Sequence, residues 1–143
     1  RSDVFRKWRF GIAPEHPLPA DAYRPEVSEA VYARVRERAG ALLDAGQTVV
    51  VDMVLDRPAE RAALEAVARD RNVGFAGYWL RAPAEVLRRR VQERVAGADA
   101  SDATREVLED QLSRDPGRIT WRQIDAARSG EEVLAQALAM LPG

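Results

Sequence analysis

The strongest constraint on the fold is the run Thr48-Val49-Val50-Val51-Asp52-Met53-Val54, a β-branched stretch without polar alternation. A strand that is apolar on both faces is buried on both faces, which is the habit of parallel sheets covered by helices on each side. The patterns beside it agree. Val27, Val31, Val35, Ala39 and Leu42 recur about every four residues between Pro25 and Gly46. That spacing gives a helix one buried face, with proline at a first helical position and glycine just past the end. After the run, Asp56 and Pro58 open a helix through Arg71, with Ala62, Ala63, Ala66 and Val67 as its small packing face. Helix, strand and helix in sequence predict an α/β domain with a parallel sheet.

The alternation continues along the chain. Residues 2 to 10 read as a short amphipathic helix capped by Ser2 or Asp3, with Val4, Phe5 and Trp8 on one side. A proline-rich loop from Gly11 to Pro19 follows. Gly74 to Leu80 predicts a second strand, and Pro83 starts a helix with Val86, Leu87 and Val91 inward. Ala96 to Ala100 is a small-residue break, after which Ser101 caps a helix carrying Val107, Leu108 and Leu112. Ile119 to Ile124 is a weaker strand. Ser129 and Glu132 then form a capping box that opens a last helix with Val133, Leu134, Leu138 and Leu141. All 143 residues fit one domain with a single core.

Composition removes several classes of function. No cysteine is present, which excludes disulfide scaffolds, thiolate zinc sites and cysteine nucleophiles. The net charge of −1 gives no reason to expect a nucleic-acid or membrane-surface partner. No apolar run approaches the ~18 residues of a membrane span, and no signal-peptide core is visible, so the expected location is the cytoplasm. Of the 22 basic residues, Lys7 alone is lysine.

In parallel sheets ligands bind beyond the carboxyl ends of the strands. The positions to weigh are therefore Arg1 to Arg6, Asp52 to Arg57, Arg81 to Ala84 and the loop around Asp125. Asp3 either caps its helix or projects into the cleft, where a carboxylate can take the proton of a substrate hydroxyl, with Arg1 and Arg6 as anion contacts. Asp52, an acid inside a valine run, is costly to bury unless paired or bound to a cation. Four apolar residues followed by Asp is also the form in which a strand-end acid supports magnesium. In the arginine-dense stretch Arg88 to Arg94, Arg90 and Arg94 share a helix face. They lie on a solvated face or close over phosphates through the guanidinium fork. His16, between prolines, reads as a surface residue, and Trp8, Trp79, Trp121, Tyr23 and Tyr32 read as packing.

Taken in order, RSDVFRK, the Tyr23 to Tyr32 segment, TVVVDMVLDRPAERAAL, GYWLRAPAEVLRRRVQER and the DASDA loop resemble a known group. They are similar to the bacterial AAA-type ATPase or predicted-kinase family of P-loop proteins. Its relatives are gluconate kinase, chloramphenicol phosphotransferase, polynucleotide kinase and the zeta-toxin kinases, and members are sometimes fused to an aminoglycoside-phosphotransferase-like domain. The resemblance implies ATP and Mg2+ as cofactors, a small-molecule hydroxyl as acceptor, and a sheet of order 2-3-1-4-5 with helices on both faces. It assigns Asp3 as the substrate-side acid, Arg1 and Arg6 as substrate contacts, Asp52 as the nucleotide- and magnesium-side acid, and Arg90 and Arg94 as lid arginines ahead of Asp99 to Ala103.

Such a kinase begins with a strand and a GxxxxGK[ST] loop, whose amides and lysine hold phosphates. Here Lys7 follows Arg6 with no glycine run, and nothing matches that loop. The resemblance places the missing strand and loop before Arg1, which makes residues 1 to 143 an N-terminally truncated P-loop kinase-like domain. Two expectations follow: the chain alone binds ATP poorly with little or no kinase activity, and the strands that should flank the missing one lack their shared neighbour. The alternative is a non-catalytic, degenerate kinase-fold module whose open sheet edge pairs with a partner.

Overall fold

The structure, a computed structural model, describes residues 1–94 and 102–141. It contains α1 (Ser2–Arg9), a 3-10 turn (Ala20–Tyr23), α2 (Pro25–Asp44), α3 (Pro58–Arg69), β1 (Tyr78–Arg81), α4 (Ala84–Arg94), α5 (Arg105–Ser113), β2 (Arg122–Asp125) and α6 (Gly130–Ala139). The expected cap Ser101, the break at Ala96 to Ala100 and Asp99 lie outside the described residues, as does the side chain of Arg94. Among the described residues no helix is long and apolar enough to cross a membrane.

Helix ends follow local chemistry. Gly46 stands just past α2 at φ 73°. Its N–H donates to Leu43 O at 2.9 Å and that of Gln47 to Leu42 O at 3.0 Å, the paired bonds of a Schellman stop. The Ser129 and Glu132 box forms as read. At α5 the Thr104 hydroxyl accepts the Val107 N–H and is the cap, three residues beyond the position expected.

β1 and β2 pair in parallel, with Tyr78 opposite Arg122 and Arg81 opposite Asp125. This confirms a mixed α/β fold with a small parallel sheet. Both strands are shorter than the sequence suggests and begin later. The larger correction concerns the valine run. Residues 47 to 56 form neither helix nor ladder, and Val50 is 89% exposed. A β-branched run becomes a strand only when a neighbour takes up its N–H and C=O groups. Here the contacts are isolated: the Ser2 N–H reaches Asp52 O at 3.1 Å and the Tyr32 hydroxyl reaches Val54 O at 2.8 Å.

The helical core is Val31, Val35 and Ala39 of α2 against Leu64 and Ala68 of α3, with Leu55 beside them. Val91, Leu108 and Ile124 are the buried residues of the later elements. α3 does not bury the expected alanine face: Ala62 is exposed, whereas Arg61 is buried. The Arg61 guanidinium donates to Leu55 O and Pro116 O at 2.7 and 2.6 Å and to Asp56 O and Arg118 O at 3.2 and 3.3 Å. It also stands 5.5 Å from the Trp79 ring. Four carbonyls compensate its desolvation, and one side chain thereby joins α3 to the approach of β2 and to β1.

α1 is turned over relative to its pattern. Ser2, Arg6 and Lys7 are its buried residues, and Trp8 is 68% exposed. Hydrogen-bonding opportunity decides the orientation, because the two cations reach several carbonyl, hydroxyl and carboxylate oxygens on neighbouring segments, which Val4 and Phe5 could not use.

Candidate functional site

The site grows from the first residue of the chain. Arg1 precedes α1, and its guanidinium lies 3.2 Å from Asp52 Oδ2 and 3.9 Å from Asp3 Oδ2. One cation thus brings together the helix-start acid and the acid of the valine run. Asp3 is part-buried and caps no N–H through its side chain. Burial pushes its carboxyl above the usual range, and the nearby Asp52 charge adds to this, while Arg1 and Arg6 act in the opposite sense. Asp52 is not buried as the valine run suggests. Its side chain is 69% exposed because no strand flanks the segment among the described residues.

Behind this pair lies a polar cluster that the sequence did not reveal. Lys7 is 1% exposed, and its Nζ donates to Pro14 O at 2.7 Å and to Asp102 Oδ1 at 2.9 Å. Asp102 Oδ2 accepts the Tyr23 hydroxyl at 2.6 Å and the Leu18 N–H at 3.0 Å. Burial works against the Asp102 charge, but the bonds from Tyr23, Lys7 and Leu18 outweigh it and hold the carboxyl below its ordinary value. Burial, with the bond to Asp102, pushes the Tyr23 hydroxyl up. Arg6 donates to Ala22 O at 2.6 Å and Ser28 Oγ at 3.2 Å and stands 5.0 Å from the Tyr23 ring. The proline-rich loop is therefore fastened to α1 by Lys7 and to the Asp102 segment by Asp102 itself, while Arg6 ties α1 to the 3-10 turn and α2. The only sequence signal was that Lys7 is the sole lysine.

The remaining predicted residues are placed elsewhere in the hydrogen-bond pattern. Arg90 donates to Ala126 O at 2.5 Å, with Arg128 O at 3.2 Å and Ala127 O at 3.4 Å, so its guanidinium holds the loop after β2. Arg88 forks onto Glu109 at 2.7 and 2.9 Å, joining α4 to α5. At the carboxyl ends of β1 and β2, Arg81, Ala82, Pro83, Ile124 and Asp125 line a cleft of about 380 Å³. This is where a parallel sheet presents a ligand site.

A model of the AAA domain family matches residues 1–115, spanning the Arg1, Asp3 and Asp52 constellation and the Asp102 clasp. The chain belongs to that family. No curated protein and no solved structure matches it. AAA domain membership makes this a P-loop NTPase-like chain with a nucleotide-binding, kinase- or ATPase-like function, of a kind that generally uses ATP with Mg2+.

The residues present fit the acidic side of such a site. Among the described residues no group of three His, Cys, Asp or Glu side chains could hold a metal ion. Magnesium does not require one, since it is usually bound by one or two carboxylates together with substrate phosphates and water. Asp52, exposed and held beside Asp3 by Arg1, is suited to that part. No glycine-rich phosphate cradle occurs in the 143 residues.

Proposed function

We propose that this chain is the C-terminal portion of an ATP-dependent kinase that transfers a γ-phosphoryl group to the hydroxyl of a small molecule. The observation carrying the proposal is that Arg1 draws Asp3 and Asp52 to one place, 3.9 and 3.2 Å from its guanidinium. Bound Mg·ATP supplies the phosphoryl group and the cation that screens it. Asp3, with its raised proton affinity, takes the proton of the acceptor hydroxyl as that oxygen bonds to phosphorus. Arg1 and Arg6 hold the substrate side, Asp52 serves magnesium, and Arg90 and Arg94 stabilise the transferring charge, Arg90 once the nucleotide draws it from its contacts with the loop after β2.

The same proposal includes a strand and phosphate loop upstream of Arg1, completing a 2-3-1-4-5 sheet between the valine run and β1. The segment 47 to 56, which carries no ladder, supports it, since such a strand would pair with its backbone. The test is direct. The residues encoded ahead of Arg1 are expected to include GxxxxGK[ST], and the full-length protein to convert ATP to ADP in the presence of a hydroxyl acceptor. Asp3→Asn is expected to lower kcat by about 100-fold or more, as loss of a general base does. Wild-type turnover in that variant would remove Asp3 from the chemistry.

A second reading is a non-catalytic module that pairs its open edge with a partner. Val50 and Leu80, both exposed, on the segment 47 to 56 and on β1, favour it. Calorimetric titration of the full-length protein with Mg·ATP separates the two, because absence of binding there selects the module.

A further inference from the structure

Away from the acid pair, α1 and α2 enclose an open groove of about 910 Å³. Its walls are Phe5 and Trp8 from α1 and Ala30 and Ala33 from α2, and Arg9 of α1 and Arg38 of α2 also line it. Phe5 and Trp8 stand 5.5 Å apart at 56°, a tilted pair that braces the exposed indole as a platform. Along α1, Phe5 and Trp8 lie on the side opposite Asp3, so this groove is not the acid site seen from another angle. The charges around it are unequal. Arg34 is already paired with Glu37 at 2.6 Å, whereas the side chains of Arg9 and Arg38 have no hydrogen bond or ion pair among the described residues.

An exposed indole and two unpaired arginines lining one groove suit one ligand chemistry. A planar ring stacks on the indole, and an attached dianion takes the two arginine forks. An apolar partner would leave both cations unused, and a simple anion would leave the aromatic platform unused. We propose that the α1/α2 groove binds a small aromatic monophosphate of the nucleoside monophosphate type, with Trp8 as the stacking surface and Arg9 and Arg38 as the phosphate contacts. The site is separate from the Asp3 and Asp52 pair and does not depend on the kinase reading.

The probe is adenosine monophosphate, titrated calorimetrically into the full-length protein. Saturable binding is expected, weakened at least tenfold by Trp8→Ala and by Arg38→Glu and retained within about threefold by Trp8→Phe, which keeps a ring. Adenosine without phosphate, and inorganic phosphate without the ring, are each expected to bind at least tenfold more weakly. Both altered side chains are exposed, and matching far-UV circular dichroism across the variants would show that the fold survives. Unchanged affinity in Trp8→Ala or Arg38→Glu, inorganic phosphate binding as tightly as the nucleotide, or no saturable binding at all would each overturn the proposal.

Discussion

The Lys7 ammonium meets the Asp102 carboxylate at 2.9 Å across 95 positions of chain, joining the first helix to the segment before α5. The Lys7 side chain is 1% exposed and that of Asp102 13%, so removing the carboxylate strands a buried cation and removing the cation strands a part-buried carboxylate. Lys7→Met is expected to lower unfolding free energy by about 3 kcal/mol, the usual cost of breaking a buried pair. Urea denaturation followed by circular dichroism measures it.

The same clasp sets a pH dependence. Asp102 titrates below the ordinary aspartate value in the folded chain, so its contribution is fully present above that ordinary value and is lost as pH falls through the lower, folded one. The stability gap between wild type and Asp102→Asn is therefore expected to be constant from about pH 5 to 7, which lies above the ordinary aspartate value, and to narrow below about pH 4. A gap that widened on acidification would contradict the assignment.

Asp3 behaves in the opposite sense, since burial raises its proton affinity while Arg1 restrains the rise. In the full-length enzyme the acidic limb of kcat/KM is expected above the ordinary carboxylate range. Arg1→Gln is expected to move that limb further up, because it removes a charge that favours the ionised acid. A pH–rate profile of both proteins decides this, and a downward shift would show that another group governs the limb.

Arg61 spans three parts of the fold through four carbonyls. Arg61→Met is expected to cost about 3 kcal/mol by leaving buried acceptors without donors. Arg61→Lys is expected to recover less than half of that, because an ammonium cannot reproduce the planar fork. Chemical denaturation of the two variants gives both values.

A methyl group at Gly77 would stand 2.4 Å from the Trp121 ring, which is itself held by Nε1 donation to Glu65 at 2.5 Å and by Phe75 at 5.6 Å. Gly77→Ala is expected to destabilise by about 1–3 kcal/mol, with a shift in the tryptophan emission maximum as the check.

Much of the helical framework was legible from spacing alone, because helix ends are decided by nearby residues. Pro25, Gly46, Pro58 and the Ser129 and Glu132 box each act within one turn, and each helix stands close to where those signals put it. The α2 stripe of Val31, Val35 and Ala39 is buried as its period implies. The neighbourhood of Asp3, Arg1 and Asp52 could also be anticipated, since helix starts and strand ends are where parallel α/β folds gather polar groups.

Tertiary structure alone decided what depends on a partner far along the chain. The valine run has the composition of a strand, but a strand is a property of two segments, and no ladder neighbour stands beside it among the described residues. α1 carries an apolar stripe, but its burial was settled by where Lys7 and Arg6 find oxygen atoms, at Pro14, Ala22, Ser28 and Asp102. Arg61 sits in the core for the same reason. The sequence by itself determined the α/β class, the helices and the acids at their ends, through interactions that span a few residues. Which cations are buried, which aromatic ring stays exposed and which strands pair were decided by long-range hydrogen bonds, whose partners the local pattern does not name.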